Sequence, residues 1–254
     1  MQISESYSKM RKARSLAKFK KYIIWAALPV WVFGGTMLGF LLVVKFIELL
    51  VSLGLSFPGA NENVMQLVLQ ALSYVGALLV VIGIPYLIFG KKINKELLGL
   101  KGKIKWKYPL IAIGAFGIYY IFSMFLMFVM VLVNPDFDIT QSQDVGFESL
   151  TSSLDYILAF LALVVIAPVV EEIIFRGFLY GTLKKTYRFW VAAILTSLTF
   201  AVAHGAWNVG VDTFALSIVL CYLRYNYDSI YPAIFLHMVK NGMAYLLLFV
   251  IRPF

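Results

Sequence analysis

The sequence predicts an all-α fold, a polytopic transmembrane helical bundle of about seven spans, with eight as the other count, because a spanning helix needs ~20 apolar residues and about seven segments qualify. Three observations carry this expectation. First, 61% of the 254 residues are hydrophobic and only 14% are charged, whereas soluble domains are nearer half apolar and a quarter charged. Second, the apolar residues come in long runs separated by short polar stretches. Third, lysine and arginine fall in alternate connections, as they do when basic loops stay on the cytoplasmic side.

The spans read in order as Tyr22–Val44, continuing toward Leu55, then Val64–Phe89, Tyr108–Val133, Leu154–Ile174, Phe189–Ala206, Thr213–Leu223 and Ile230–Ile251. The fourth can run on to Lys185, since Gly177 and Gly181 alone need not stop it. The sixth is the shortest and weakest. No internal repeat or low-complexity segment interrupts the series. The chain divides into a basic segment 1–21, an N-terminal transmembrane region 22–150 of three helices, and a C-terminal core 151–254 of four.

Charge sets the orientation. Residues 1–21 carry seven Lys or Arg and the connection 90–107 carries seven lysines. Arg176, Lys184, Lys185 and Arg188 follow the fourth span, and Arg224 follows the sixth. The intervening connections 51–63, 134–153 and 205–212 carry none, and the second holds Asp136, Asp138, Asp144 and Glu148. The N-terminus is therefore expected in the cytoplasm and the C-terminus outside, in an integral protein of, by its compact size, a prokaryotic cell membrane. Although the N-terminus resembles a signal peptide, its apolar stretch is too long for one and reads as a retained first helix. A net charge of +9 is explained by these collars against anionic lipid. With no glycine-rich phosphate loop and no basic-aromatic stripe, a nucleic-acid partner is not expected. The single cysteine, Cys221, sits in an apolar run and reads as a small buried hydrophobe.

Against this background Glu171 and Glu172 stand out. From Ile157 to Ile174 they are the only charges in 18 residues. Carboxylates at membrane depth cost a few kcal/mol and are functional candidates by default. Glu172 and Arg176 are one helical turn apart in the favourable acid-first order, leaving Glu171 for another role. Both histidines of the chain also lie in apolar segments, as Phe200-x-x-x-His204 and His237-x-x-x-Asn241. If the hairpin between spans four and five pivots near Tyr187, Glu171 and His204 share a depth ~20 Å from the pivot at 1.5 Å per residue. His237, only ~10–15 Å into its span by the same rise, does not match that depth. The site is expected to open toward the cytoplasmic half. Plainer readings compete: a structural ion pair between helices, or a proton or cation pathway. Lys240 reads as a snorkelling or ion-paired side chain. Asp155 and Asp212, at outer helix ends, read as solvated.

The three patterns EEIIFR, FAVAH and HMVKN, in this order on successive apolar segments, resemble the CPBP family, which comprises type 2 CAAX prenyl endopeptidases, Abi proteins and bacteriocin-processing relatives. The resemblance covers roughly residues 154–250. It implies an intramembrane endopeptidase in which Glu171 activates the attacking water with His204 close by, Glu172 and Arg176 hold the site, and His237 and Asn241 complete it, Asn241 donating to a developing oxyanion. Although the family is called a metalloprotease family, a glutamate-dependent mechanism without metal is also argued for it. Glu171, His204 and His237 would suit zinc with an open fourth position. The partners it implies are a membrane-associated or prenylated peptide precursor and the lipid bilayer. Two other functions stay open: an immunity protein or signalling scaffold that needs no proteolysis, and an ion-coupled transporter, which the lack of an inverted repeat disfavours.

Overall fold

The computed structural model describes residues 26–55, 61–90, 92–141 and 150–251, with Phe147 and scattered positions between 7 and 23. Most of the basic segment 1–21, and Asp144 and Glu148, lie outside the described residues. From Leu28 onward the described residues form seven helices: α1 (Leu28–Ser52), α2 (Glu62–Ile88), α3 (Lys107–Val133), α4 (Ser153–Leu183), α5 (Phe189–Val202), α6 (Trp207–Tyr227) and α7 (Tyr231–Val250). All but α5 and α6 are long and apolar enough to cross a membrane, and α5 is a shorter apolar helix.

Two prolines shape the bundle. Pro85 in α2 and Pro168 in α4 lack an N–H and crowd the carbonyl of the preceding turn. Each follows a stretch of wider π-helical winding, Leu79–Gly83 and Leu161–Ile166. In α4 the Ala167 N–H reaches back to the Ala162 carbonyl. The next N–H in that register, which would serve Leu163, belongs to proline and does not exist. The Leu163 carbonyl is thus left for a partner from another helix. A third π stretch, Glu172–Tyr180, carries the acidic motif itself, in keeping with the frequent appearance of π geometry at functional sites.

Small residues bring α1 and α2 together. A Cβ on Gly39 would lie 2.5 Å from the Ala77 nitrogen, and one on Gly76 2.7 Å from the Gly39 carbonyl oxygen. Such close backbone approach is a common way to pack helices in lipid, where there is no water-driven force between them. α4 runs through the middle, touching α2, α5, α6 and α7, while α3 packs on α6 and α7. One core cluster joins α1, α2, α4 and α5 with Cys221 of α6, and another joins α3, α6 and α7.

Two corrections to the sequence reading follow. α6 is 21 residues long, Trp207–Tyr227; its polar first turns hid its true length from a hydropathy argument. Asp155 is buried rather than solvated, and Asp212, partly exposed at the cavity, is held by α3. Asp155 is 1% exposed. It closes a capping box with Ser152 at the start of α4 and accepts from Asn61 Nδ2 at 3.1 Å, tying α2 to α4. Asp212 Oδ1 accepts from Tyr119 Oη and Ser123 Oγ of α3, each at 2.6 Å.

The lysine-rich connection 92–106 folds under the bundle. Leu98 packs directly on Gly177, where any side chain would strike the Leu98 carbonyl, and the Gly99 carbonyl accepts from the Ile230 N–H at 3.0 Å. Asp228, in a left-handed turn at φ 46°, binds Lys101 and Lys184 at 3.0 Å and Arg224 at 2.9 Å. Partial burial pushes its carboxyl up, but these hydrogen bonds outweigh that and hold it below the usual carboxylate range. α7 therefore starts above a protein floor. Gly177 and Ile230 share a level, Glu171 lies six residues from the one and His237 seven from the other, and the depth mismatch expected for His237 disappears.

Candidate active site

Glu172 and Arg176 form the expected ion pair, Oε1 to Nη1 at 2.9 Å, with both side chains 0% exposed. Arg176 also lies over the Phe200 ring, 4.4 Å from its centroid, a favourable cation–π placement. The same Glu172 oxygen contacts His237 Nδ1 at 2.9 Å. That oxygen already accepts from Arg176, so Nδ1 is the donor, and a neutral His237 then keeps its lone pair on Nε2. Since a pair this dry adds little net stability, its main consequence is the fixed tautomer and orientation of His237.

His237 Nε2 faces Glu171 Oε2 at 3.7 Å. Two acceptors at that separation have no hydrogen to share, and a donor with two hydrogens, such as water, can bridge them. The other Glu171 oxygen accepts from Tyr74 Oη at 2.7 Å. Tyr74 belongs to α2 and to no motif, so sequence reasoning missed it; the available signal was a lone tyrosine among small residues, SYVGA, in an apolar helix.

His204 is not on a helix, as the FxxxH pattern suggested, but in the turn after α5, just before Gly205 at φ 77°. Its Nδ1 donates to the Phe200 carbonyl at 2.7 Å, which occupies one of the carbonyls a helix end leaves without a partner. Nε2 is left for the cavity. Phe200 is the hub of the site, with ring centroids 4.6 Å from His204 and 5.8 Å from His237. Asn241 Nδ2 donates to the Leu163 carbonyl at 2.9 Å, the oxygen released by Pro168. One amide N–H is thereby spent on anchoring α7 to α4, and the second remains for a ligand.

Glu171, His204, His237 and Asn241 line one cavity of about 790 Å³. Glu172 and Arg176 stand behind its wall. The cavity extends to Gln66, Asn208 and Phe249, residues near the α2 and α6 starts and the α7 end. These lie toward the helix ends away from the lysine-rich connection 92–106. Among the described residues no three His, Cys, Asp or Glu side chains gather closely enough to hold a metal ion. Both histidine Nδ1 atoms are also engaged.

Residues 153–243 match the family model described as type II CAAX prenyl endopeptidase Rce1-like. The matched stretch runs from the start of α4 through most of α7, and the model describes a protease family. Over 97 residues, the sequence is 27% identical to an uncharacterized 24.3 kDa protein of Escherichia coli. The aligned stretch covers 36% of this chain and 45% of that relative, so the chain spans less than half of the relative's length. No solved structure matches.

Proposed function

We propose that the protein is an intramembrane endopeptidase that cuts a membrane-associated peptide with a water activated by Glu171. The observation that carries this reading is the opposition of Glu171 Oε2 and His237 Nε2 at 3.7 Å in a cavity large enough for an extended peptide. A water between them donates one hydrogen to each. Glu171 takes the proton as the oxygen attacks the scissile carbonyl carbon. The free N–H of Asn241 donates to the developing oxyanion. Glu171 then returns the proton to the leaving nitrogen, giving a carboxylic acid and an amine. His204 contributes Nε2 to the same pocket, and Tyr74 holds the carboxylate in one orientation.

The Rce1-like match supports peptide hydrolysis as the reaction class. The test is to incubate the purified protein in detergent with a library of apolar peptides and identify the products by mass, with and without a chelator. Discrete endoproteolytic products that persist in chelator are expected. Products lost with chelator and restored by zinc would replace the water–glutamate mechanism with a metal-dependent one. An unchanged library would favour the scaffold reading.

A further inference from the structure

Among the described residues lining the cavity, Lys240 is the only lysine or arginine. It lies three residues after His237 on α7, so its stem leaves the helix about one turn, ~4.5 Å, farther along the axis and on nearly the same face. Its one counter-charge among the described residues is Asp212, at 3.6 Å through Oδ2. That is long for a charge-assisted hydrogen bond, which closes to about 2.7–2.9 Å. Asp212 cannot swing closer without giving up Tyr119 and Ser123, which hold its other oxygen at 2.6 Å. An ammonium at membrane depth, near a fixed carboxylate but not fully bonded to it, is a poor structural pair and a suitable receptor for a second anion.

We propose that Lys240, steadied by Asp212, Tyr119 and Ser123, binds a carboxylate of the peptide substrate and so selects peptides that carry one close to the bond to be cut. The separation from His237 corresponds to about one to three residues of extended chain at ~3.3 Å each. The carboxylate comes from a peptide C-terminus or from an acidic side chain, the same chemistry from two sources. This inference rests on the peptidase reading for its meaning, but binding can be measured without cleavage.

The experiment uses full-length Glu171→Gln protein in detergent, so that bound peptide is not consumed. Three fluorescein-labelled apolar decapeptides are titrated: one with a free C-terminal carboxylate, its C-terminal amide, and that amide with one glutamate near its end. At least one carboxylate peptide should bind on the order of tenfold tighter than the plain amide, as a charge-assisted hydrogen bond allows. Adding Lys240→Met should reduce that ratio to about one, and Lys240→Arg should restore most of it. Equal binding of all three peptides, no binding of any, or a preference that survives Lys240→Met would overturn the subsite. Cleavage by wild-type protein in parallel judges the peptidase reading separately: a Lys240-dependent preference without cleavage would keep the subsite and remove the protease.

Discussion

Glu171 and Glu172 are sequence neighbours with opposite assignments. Glu172 is sealed behind the wall, paired with Arg176 and with the Nδ1 of His237; Glu171 reaches the cavity and answers to Tyr74. Substitutions should separate them. Arg176→Ala strands a buried carboxylate, and losing one partner of such a pair costs about 3–5 kcal/mol. We expect a lower melting temperature and poor expression along with lost cleavage; an Arg176→Ala protein as stable as wild type would contradict the structural role. Tyr74→Phe removes one hydrogen bond from Glu171 and little packing. It should lower kcat by about tenfold while leaving KM and the melting temperature nearly unchanged, since a hydrogen bond to a charged group contributes roughly 1.5–3 kcal/mol. An unaltered kcat would show that Tyr74 does not hold the carboxylate.

At the scale of elements, α4 and α7 are joined through an oxygen that a proline sets free. Asn241→Ala should leave the Leu163 carbonyl buried without a donor, at about 1–3 kcal/mol. It should therefore reduce thermal stability as well as activity, and a purely catalytic asparagine would reduce activity alone. The floor depends on Asp228. Folding favours its ionised form, so its stabilising contribution is complete above the ordinary carboxylate value of about 3.9 and fades as the pH falls below it. Asp228→Asn should melt lower than wild type at neutral pH, with the two curves converging in acid. A constant gap across that range would assign the effect to lost packing. Much at this scale was legible in the chain: run lengths marked where each of the seven helices lies, though only the middle of α6, and the acid-first Glu172–Arg176 spacing named its ion pair. Long-range partners were not legible. Nothing local to SYVGA says that Tyr74 meets Glu171, nothing near Trp207 says that Asp212 is satisfied by α3, and the start of α7 could not be placed without the loop that lies beneath it.

For the whole molecule, the lysine-rich connection 92–106 and the cavity residues Gln66, Asn208 and Phe249 lie at opposite ends of their helices. If lysine-rich connections face the cytoplasm, substrate enters from the other side. Since the single native cysteine, Cys221, is buried, Gln66→Cys provides a clean probe in the cavity wall. A membrane-impermeant thiol reagent should label it in intact cells from outside; labelling only in inverted vesicles would reverse the orientation. The central claim, that Glu171 activates water for peptide hydrolysis, has a more direct test. Wild type and Glu171→Gln are compared for cleavage of one identified peptide, with melting temperature measured on the same preparations. The amide is nearly isosteric but cannot take a proton from water. The account predicts a rate at least about 100-fold lower with an unchanged melting temperature; a Glu171→Gln protein that cleaves at a near-normal rate would contradict it.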